Sequence, residues 1–499
     1  MRESARGEVS RPEVWERAFY KGSIAWIGAQ VFVRAVNFLA GIALARWLMP
    51  EDFGLLSLGL TVTTLIALFG NVGIGHYLIY HPEERSEVLT AGFWLGVIIG
   101  VGLFALQAAI APIVAAFYAR ADLSPILLVL GLTLLIAPWG NVHAALLRRR
   151  LEIGKLVLPQ LVTTLIGTGI GLALARAGAG AWSLVLPFVI AVPITVALNW
   201  TLCPWRPAPH LFRRHWGEIG RYGRHILGND LTAYAMQNAD YILIGKWLGA
   251  SPLGFYTFAY NQSLMLPTLL MGVFSQVVFP IFARLRDNPA ELQAMYLRFV
   301  RMSAGIAIPP LVLLIVVAPE YVRALYGEKW TPSVLPLQLL LLHAIGRCLM
   351  LGAGELFNAI GRPDLNFKCS LGAAPLFVGA VAIGLQWEIA GVAAATALIF
   401  LGLAGVVTAI AFRTLRWAPS ALWMTMRPVG LTAGGIALAT WSLRQALESL
   451  ALSPGHMLAA LLLGGGIIHA LALTALFRSD LRELKELALA RHTGFDEHR

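Results

Sequence analysis

Long apolar runs separated by short charged or Gly/Pro-rich breaks repeat from one end of this chain to the other. No other feature constrains its fold so tightly. The runs fall at about 22–46, 53–80, 89–119, 123–147, 156–176, 181–202, 222–247, 253–283, 296–325, 334–360, 366–386, 389–412, 429–447 and 456–477. A helix needs about 20 apolar residues to cross a bilayer, so the pattern predicts roughly fourteen spans. Spanning backbone must satisfy its own hydrogen bonds, which makes an all-α polytopic membrane protein the expected fold class. Only 13% of the 499 residues are charged and 58% are hydrophobic. Nothing is left over for a sizeable soluble domain, and whatever the chain does is expected to be done within the bilayer.

A net charge of +11 raises the question of nucleic acid, but the basic residues sit in short connections between apolar runs and form no soluble basic face, so no nucleic acid partner is expected. They alternate instead. Connections such as RRRLEIGK (148–155), RPAPHLFRRHWGEIGRYGR (206–224) and RLRDNPAELQAMYLRFVR (284–301) put the Lys/Arg excess on every second loop by about four to one, which predicts cytoplasmic N- and C-termini. Residues 1–21 read as a cytoplasmic N-terminal segment with no cleaved signal peptide, since the apolar core of a signal would have to contain Arg34. Residues 478–499 read as a cytoplasmic tail. Its Leu481, Leu484 and Leu487 share one helix face, and Asp480 and Glu483 have capping-box spacing. Cys203, Cys348 and Cys369 show no pairing pattern and are expected to be ordinary helix residues.

The chain resembles itself at an offset of 200 residues. ARWLMPEDFGLLS (45–57) returns as GKWLGASPLGFYT (245–257), aligning Trp47, Leu48 and Gly54 with Trp247, Leu248 and Gly254. The same register pairs Gly28 with Gly228, Ala35 with Ala235 and Asn37 with Gln237. An even number of spans separates the copies, so both enter the membrane from the same side, as in parallel transporter repeats. The expected organisation is an N-lobe of helices 1–6 (22–205), a C-lobe of helices 7–12 (206–413), a central cavity between them and two added helices (414–477).

LGASPLGFYTFAYNQSLMLPTLLMGVFSQVVFPIFARLRDNP (248–289) and GELFNAIGRPDLNFK (354–368) resemble the signature stretches of bacterial polysaccharide flippases for O-antigen and exopolysaccharide. These form the export branch of the MATE-like multidrug/oligosaccharidyl-lipid/polysaccharide superfamily. The resemblance covers nearly the whole chain. It implies transport of an undecaprenyl-diphosphate-linked oligosaccharide across the bacterial inner membrane by alternating access, with polysaccharide polymerase or export machinery as a candidate partner. The motifs speak for the branch and say little about the sugar.

Ionisable groups inside spans cost several kcal/mol unless they face a cavity or a partner, so they are the best candidates for a site. Arg34 lies near the middle of the first run, with Gln30 and Asn37 on its face at helical spacing. Arg347 lies near the middle of the tenth, with His343 one turn earlier. Guanidinium forks suit diphosphate oxygens, which makes Arg34 and Arg347 candidate head-group ligands. A structural ion pair with Asp230, Asp240 or Glu355 is the competing reading. In the seventh run Tyr234 and Gln237 share a face and join the candidate substrate ligands, while Asp230, Asp240 and Glu355 are candidates for ion coupling or gating. Trp26, Tyr234, Tyr241, Tyr256 and Tyr260 are positioned either to stack sugars or to pack the helices.

No G-x-x-x-x-G-K-[ST] loop occurs, and no cofactor, bound metal or nucleotide hydrolysis is expected. Two other functions compete. An ion-coupled multidrug exporter would favour carboxylates for cationic drugs over midplane arginines. A membrane-embedded polymerase or ligase would need catalytic groups in an outward loop, and the longest such loop, EYVRALYGEKWTP (320–332), carries no paired carboxylates or metal cluster. The expected protein is a transporter rather than an enzyme.

Overall fold

The computed structural model describes residues 12–70, 86–150, 152–450 and 452–476. Every regular element among them is an α-helix or a short 3-10 turn. The expected tail at 478–499 and the start of the N-terminal segment lie outside the described residues. Among the described residues, nine stretches are long and apolar enough to cross a membrane, or ten when one bent pair is counted as a span. A count of fourteen is therefore not fixed by length and hydropathy. The difference has identifiable causes: residues 363–414 count as one stretch although a 3-10 turn at 385–387 divides them into two helices, and the runs at 222–247, 253–283 and 429–447 lie on helices that are not counted.

Packing divides the chain into two compact units, Met1–Gly254 and Phe255–Arg499. The first holds α1 (Pro12–Trp47), α2 (Pro50–Gly70), α3 (Ser86–Phe117), α4 (Leu123–Ile136), α5 (Pro138–Arg149), α6 (Ile153–Arg176), α7 (Trp182–Leu202) and α8 (Trp216–Trp247), and the first turn of α9 (Ala250–Leu285). Compactness thus groups α8 with the seven helices before it, whereas the internal repeat puts a boundary at 205/206. The two divisions measure different things: the repeat marks a duplicated sequence, and packing marks which helices touch.

Within this unit α4 and α5 meet at 48°, where Pro138 removes a helix hydrogen bond. Gln107, buried on α3, donates to Thr63 Oγ1 at 2.9 Å and to the Leu127 carbonyl at 2.6 Å, so a single amide joins α2, α3 and α4. At the other end of the unit, one indole N–H pins the segment after α7 and another ties α7 to α5. Trp94 donates to the Ala208 carbonyl at 2.9 Å and Trp200 to the Trp139 carbonyl at 2.7 Å, while His143 stacks on Trp200 at 4.7 Å. Trp47 and Trp247, the repeat partners, end α1 and α8 and are both exposed, as interfacial indoles are.

The second unit holds the rest of α9, then α10 (Pro289–Tyr326), α11 (Val334–Met350), α12 (Ala353–Ala359), α13 (Pro363–Gly384), α14 (Glu388–Thr414), α15 (Pro419–Glu448) and α16 (Pro454–Leu476). Its core at one end brings together Phe282, Tyr296, Phe357, Phe412 and Trp417. At the opposite end Arg444 of α15 donates to Glu320 of α10 at 2.9 Å, an ion pair that is mostly withdrawn from solvent and ties α15 to the bundle.

Candidate functional site

In the first unit, α1 packs on α6. Gln30 donates from Nε2 to Gln160 Oε1 at 2.9 Å, which fixes the rotation of α1 about its axis. Arg34 follows one turn later and is half-buried, while Asn37, a further turn on, is exposed. The face read from spacing is thus held by a partner, Gln160, that sequence reasoning missed. Its signal was a lone amide in the apolar run GKLVLPQLVTTLIG (154–167).

On α8 the polar residues separate by burial. Gln237 is exposed and Asp230 half-buried, while Tyr234 is buried. The Tyr234 hydroxyl donates to the Thr61 carbonyl of α2 at 2.7 Å. It therefore acts as a rivet between α8 and α2, which is the packing alternative of the two that the sequence leaves open for Tyr234. Asp240 is 1% exposed, and its Oδ1 accepts from the backbone N–H of Tyr241 at 3.0 Å.

In the second unit the tenth apolar run is not one continuous helix. α11 ends at Met350, three residues beyond Arg347, and α12 starts at Ala353. The break passes through Gly352 at φ +90°, where a β-carbon would stand 2.6 Å from the Phe299 ring. Arg347 is half-buried in the last turn of α11, where the negative end of the helix dipole favours a cation. Glu355 is half-buried on α12. His343 is fully buried, stacked on Tyr260 at 5.6 Å and edge-on to Phe400 at 4.4 Å. Neither of its ring nitrogens has a hydrogen-bond partner among the described residues, so it packs as an aromatic disc and does not face an open site. Tyr256 is likewise buried, with its hydroxyl 3.3 Å from Thr396 Oγ1.

Arg34 in the first unit and Arg347 in the second are thus both half-buried on apolar helices. Among the described residues no group of three or more His, Cys, Asp or Glu is arranged to hold a metal ion. Residues 43–335, more than half of the sequence, match the profile of the polysaccharide biosynthesis protein family. The chain belongs to that family. Its similarity to individual members is moderate. Lipopolysaccharide biosynthesis protein WzxC of Escherichia coli (strain K12) is 26% identical over 72% of this chain and 73% of its own length. Teichuronic acid biosynthesis protein TuaB of Bacillus subtilis (strain 168) is 29% identical over 62% of this chain and 64% of its own length. The fold resembles that of a lipid II flippase, MurJ, in an inward closed conformation, with a TM-score of 0.72 at 13% identity over 93% of this chain and 100% of that one. The resemblance to the MATE-like superfamily read from the sequence holds at the level of the fold, and this family member is an integral membrane protein.

Proposed function

We propose that the chain is a flippase that carries a lipid-linked oligosaccharide, the repeat unit of a polysaccharide, from the cytoplasmic to the outer leaflet of the bacterial inner membrane. The carrier would be undecaprenyl diphosphate and the route alternating access, with both termini cytoplasmic. Family membership supports the substrate class, since relatives are named for lipopolysaccharide and teichuronic acid biosynthesis.

The observation that carries the reading is Arg34, a half-buried guanidinium at mid-span on a face that the Gln30–Gln160 hydrogen bond holds in register. A permanent cation at that depth favours an anionic ligand, and a diphosphate offers oxygens that match a guanidinium fork. Arg347 supplies an equivalent group in the second unit. Asn37 and Gln237, exposed at repeat-related positions, would add neutral hydrogen bonds to the head group or first sugar. Asp230, Asp240 and Glu355 remain proposed coupling or gating groups. An arginine at mid-span disfavours cationic drugs as cargo.

Arg34→Ala and Arg347→Ala are each expected to slow delivery of the lipid-linked oligosaccharide to the outer leaflet in membranes of a deletion strain by about 10- to 100-fold. That corresponds to losing a charged hydrogen bond of about 1.5–3 kcal/mol. Lysine at either position should recover part of the rate, because it keeps the charge and loses the fork. Normal transport by correctly inserted alanine variants would remove the head-group role. Normal outer-leaflet delivery in the deletion strain, with no second transporter present, would remove the flippase reading itself.

A further inference from the structure

We infer that the second unit holds a binding site for one anionic phospholipid, with an acyl chain between α14 and α15 and a head group held by Arg413 and Arg416. A cavity of about 720 Å³ opens there, within the roughly 300–1,000 Å³ of ordinary ligand sites. Its walls are apolar and come from four helices: Val300 of α10, Leu349 of α11, Ala404 and Phe412 of α14, and Leu422 and Met426 of α15. Trp417 closes one end, packed on Tyr296 and Phe412 with ring centroids 5.5 Å from each.

The polar side of this cavity is cationic. Arg413 and Arg416 line it, both are exposed, and no carboxylate lines it with them. Among the described residues neither guanidinium forms an ion pair. Arg416 is held there by the end of α14: the N–H of Trp417 donates to the Phe412 carbonyl at 2.8 Å and the N–H of Arg416 to the Arg413 carbonyl at 3.3 Å. This is a Schellman ending, and its left-handed position, usually glycine, is Arg416 at φ +55°. The backbone thus places a guanidinium beside Arg413 where most helices would place no side chain.

An apolar slot between helices with two unneutralised guanidiniums at its mouth is complementary to an amphiphile with a phosphate head. Basic pockets of this kind at the cytoplasmic ends of spans take acidic lipid head groups. The same end of the unit carries Arg284 in the last turn of α9, Arg362 at the start of α13 and Lys368 in its second turn, and the positive-inside rule assigns it to the leaflet rich in anionic lipid. A second apolar cavity, about 510 Å³, lies on the other side of α14 against α13. It provides an internal contrast, because its single cation, Lys368, is engaged by Asp364 at 3.1 Å. That slot should accept acyl chains with no preference for head group.

Native mass spectrometry of the full-length protein, titrated with dioleoyl phosphatidylglycerol or dioleoyl phosphatidylethanolamine, tests the site. The acyl chains are identical, so any difference reports the head group. One phosphatidylglycerol should be retained about 25-fold more tightly, about fivefold for each guanidinium. The double substitution Arg413→Gln, Arg416→Gln should erase that preference. Gly405→Leu, at a position where an added β-carbon meets nothing within 4 Å, should fill the slot and weaken retention of both lipids while the fold is kept. Equal retention of the two lipids by the unsubstituted protein would overturn the proposal, as would a preference that survives in the double variant. Displacement of phosphatidylglycerol by undecaprenyl diphosphate at this slot would overturn it too, by giving the slot to the cargo. All these readouts are independent of transport.

Discussion

Between α3 and α4 a single arginine joins two carboxylates. Arg120 donates to Asp122 at 3.0 Å and 2.5 Å, and also to Glu51 at the start of α2. The Arg120 guanidinium holds the Asp122 carboxyl below its ordinary range. A carboxylate whose folded-state pKa is depressed adds stability above its unfolded value, near 3.9, and loses it as the pH falls through the folded value. Asp122→Asn should therefore lower thermal stability by a constant amount from pH 5 to 8, and the gap to the unsubstituted protein should close below about pH 4. The pair is partly exposed, which limits the effect to about 0.2–1 kcal/mol. Thermal unfolding in one detergent across that range checks it; a gap that widens with acid would contradict the assignment. At this scale the sequence was a good guide wherever charge and spacing sufficed. Arg34 shares a face with Gln30, as periodicity requires. Tyr234 and His343 were less legible, because a polar side chain on a helix face looks the same in sequence whether a neighbouring helix or a substrate covers it.

The junction of α2 and α9 gives the internal repeat a physical cause. A β-carbon on Gly54 would stand 1.8 Å from the Ala250 carbonyl oxygen, and one on Gly254 would stand 1.7 Å from that of Pro50. Ala250 and Pro50 are themselves 200 residues apart, so the two contacts are exchanged copies of one another, as across a two-fold axis. Both glycines recur because the opposing obstacle is backbone, which cannot rotate away. Gly254→Ala is expected to destabilise the protein by the upper part of the about 1–3 kcal/mol typical of overpacking, or more, and Gly54→Ala similarly. Gly28→Ala, with nothing within 4 Å of the added carbon, should be near neutral or stabilising. Fluorescence-detected thermal unfolding of the three variants separates the cases, and equal melting of Gly254→Ala and Gly28→Ala would refute the close approach. The break between α11 and α12 was hidden for the opposite reason. Hydropathy runs unbroken from 334 to 360, and only the short sequence LGAGE (351–355) marks the turn.

Across the whole chain, the strongest regularity in the sequence is the alternation of Lys and Arg between successive connections, and it makes a claim that helix geometry alone does not. If that alternation sets orientation, the α3–α4 turn faces outward and the α14–α15 turn faces the cytoplasm. Two exposed small residues, Ala121 and Ser420, stand at these turns. The native thiols are poorly placed to interfere, since Cys203 and Cys348 are buried and Cys369 is partly so, and all three can be replaced by alanine. In that background Ala121→Cys should react with a membrane-impermeant maleimide in intact spheroplasts, and Ser420→Cys only after permeabilisation. The reverse pattern would invert the protein in the membrane and would move the Arg413/Arg416 slot to the outer leaflet. It would also place the basic connections against the positive-inside bias, so the measurement bears on the proposed direction of transport as well as on topology. Reactivity of both thiols from outside would mean that an even number of crossings separates residues 121 and 420, where the alternation requires an odd one, and would break the alternation at its source.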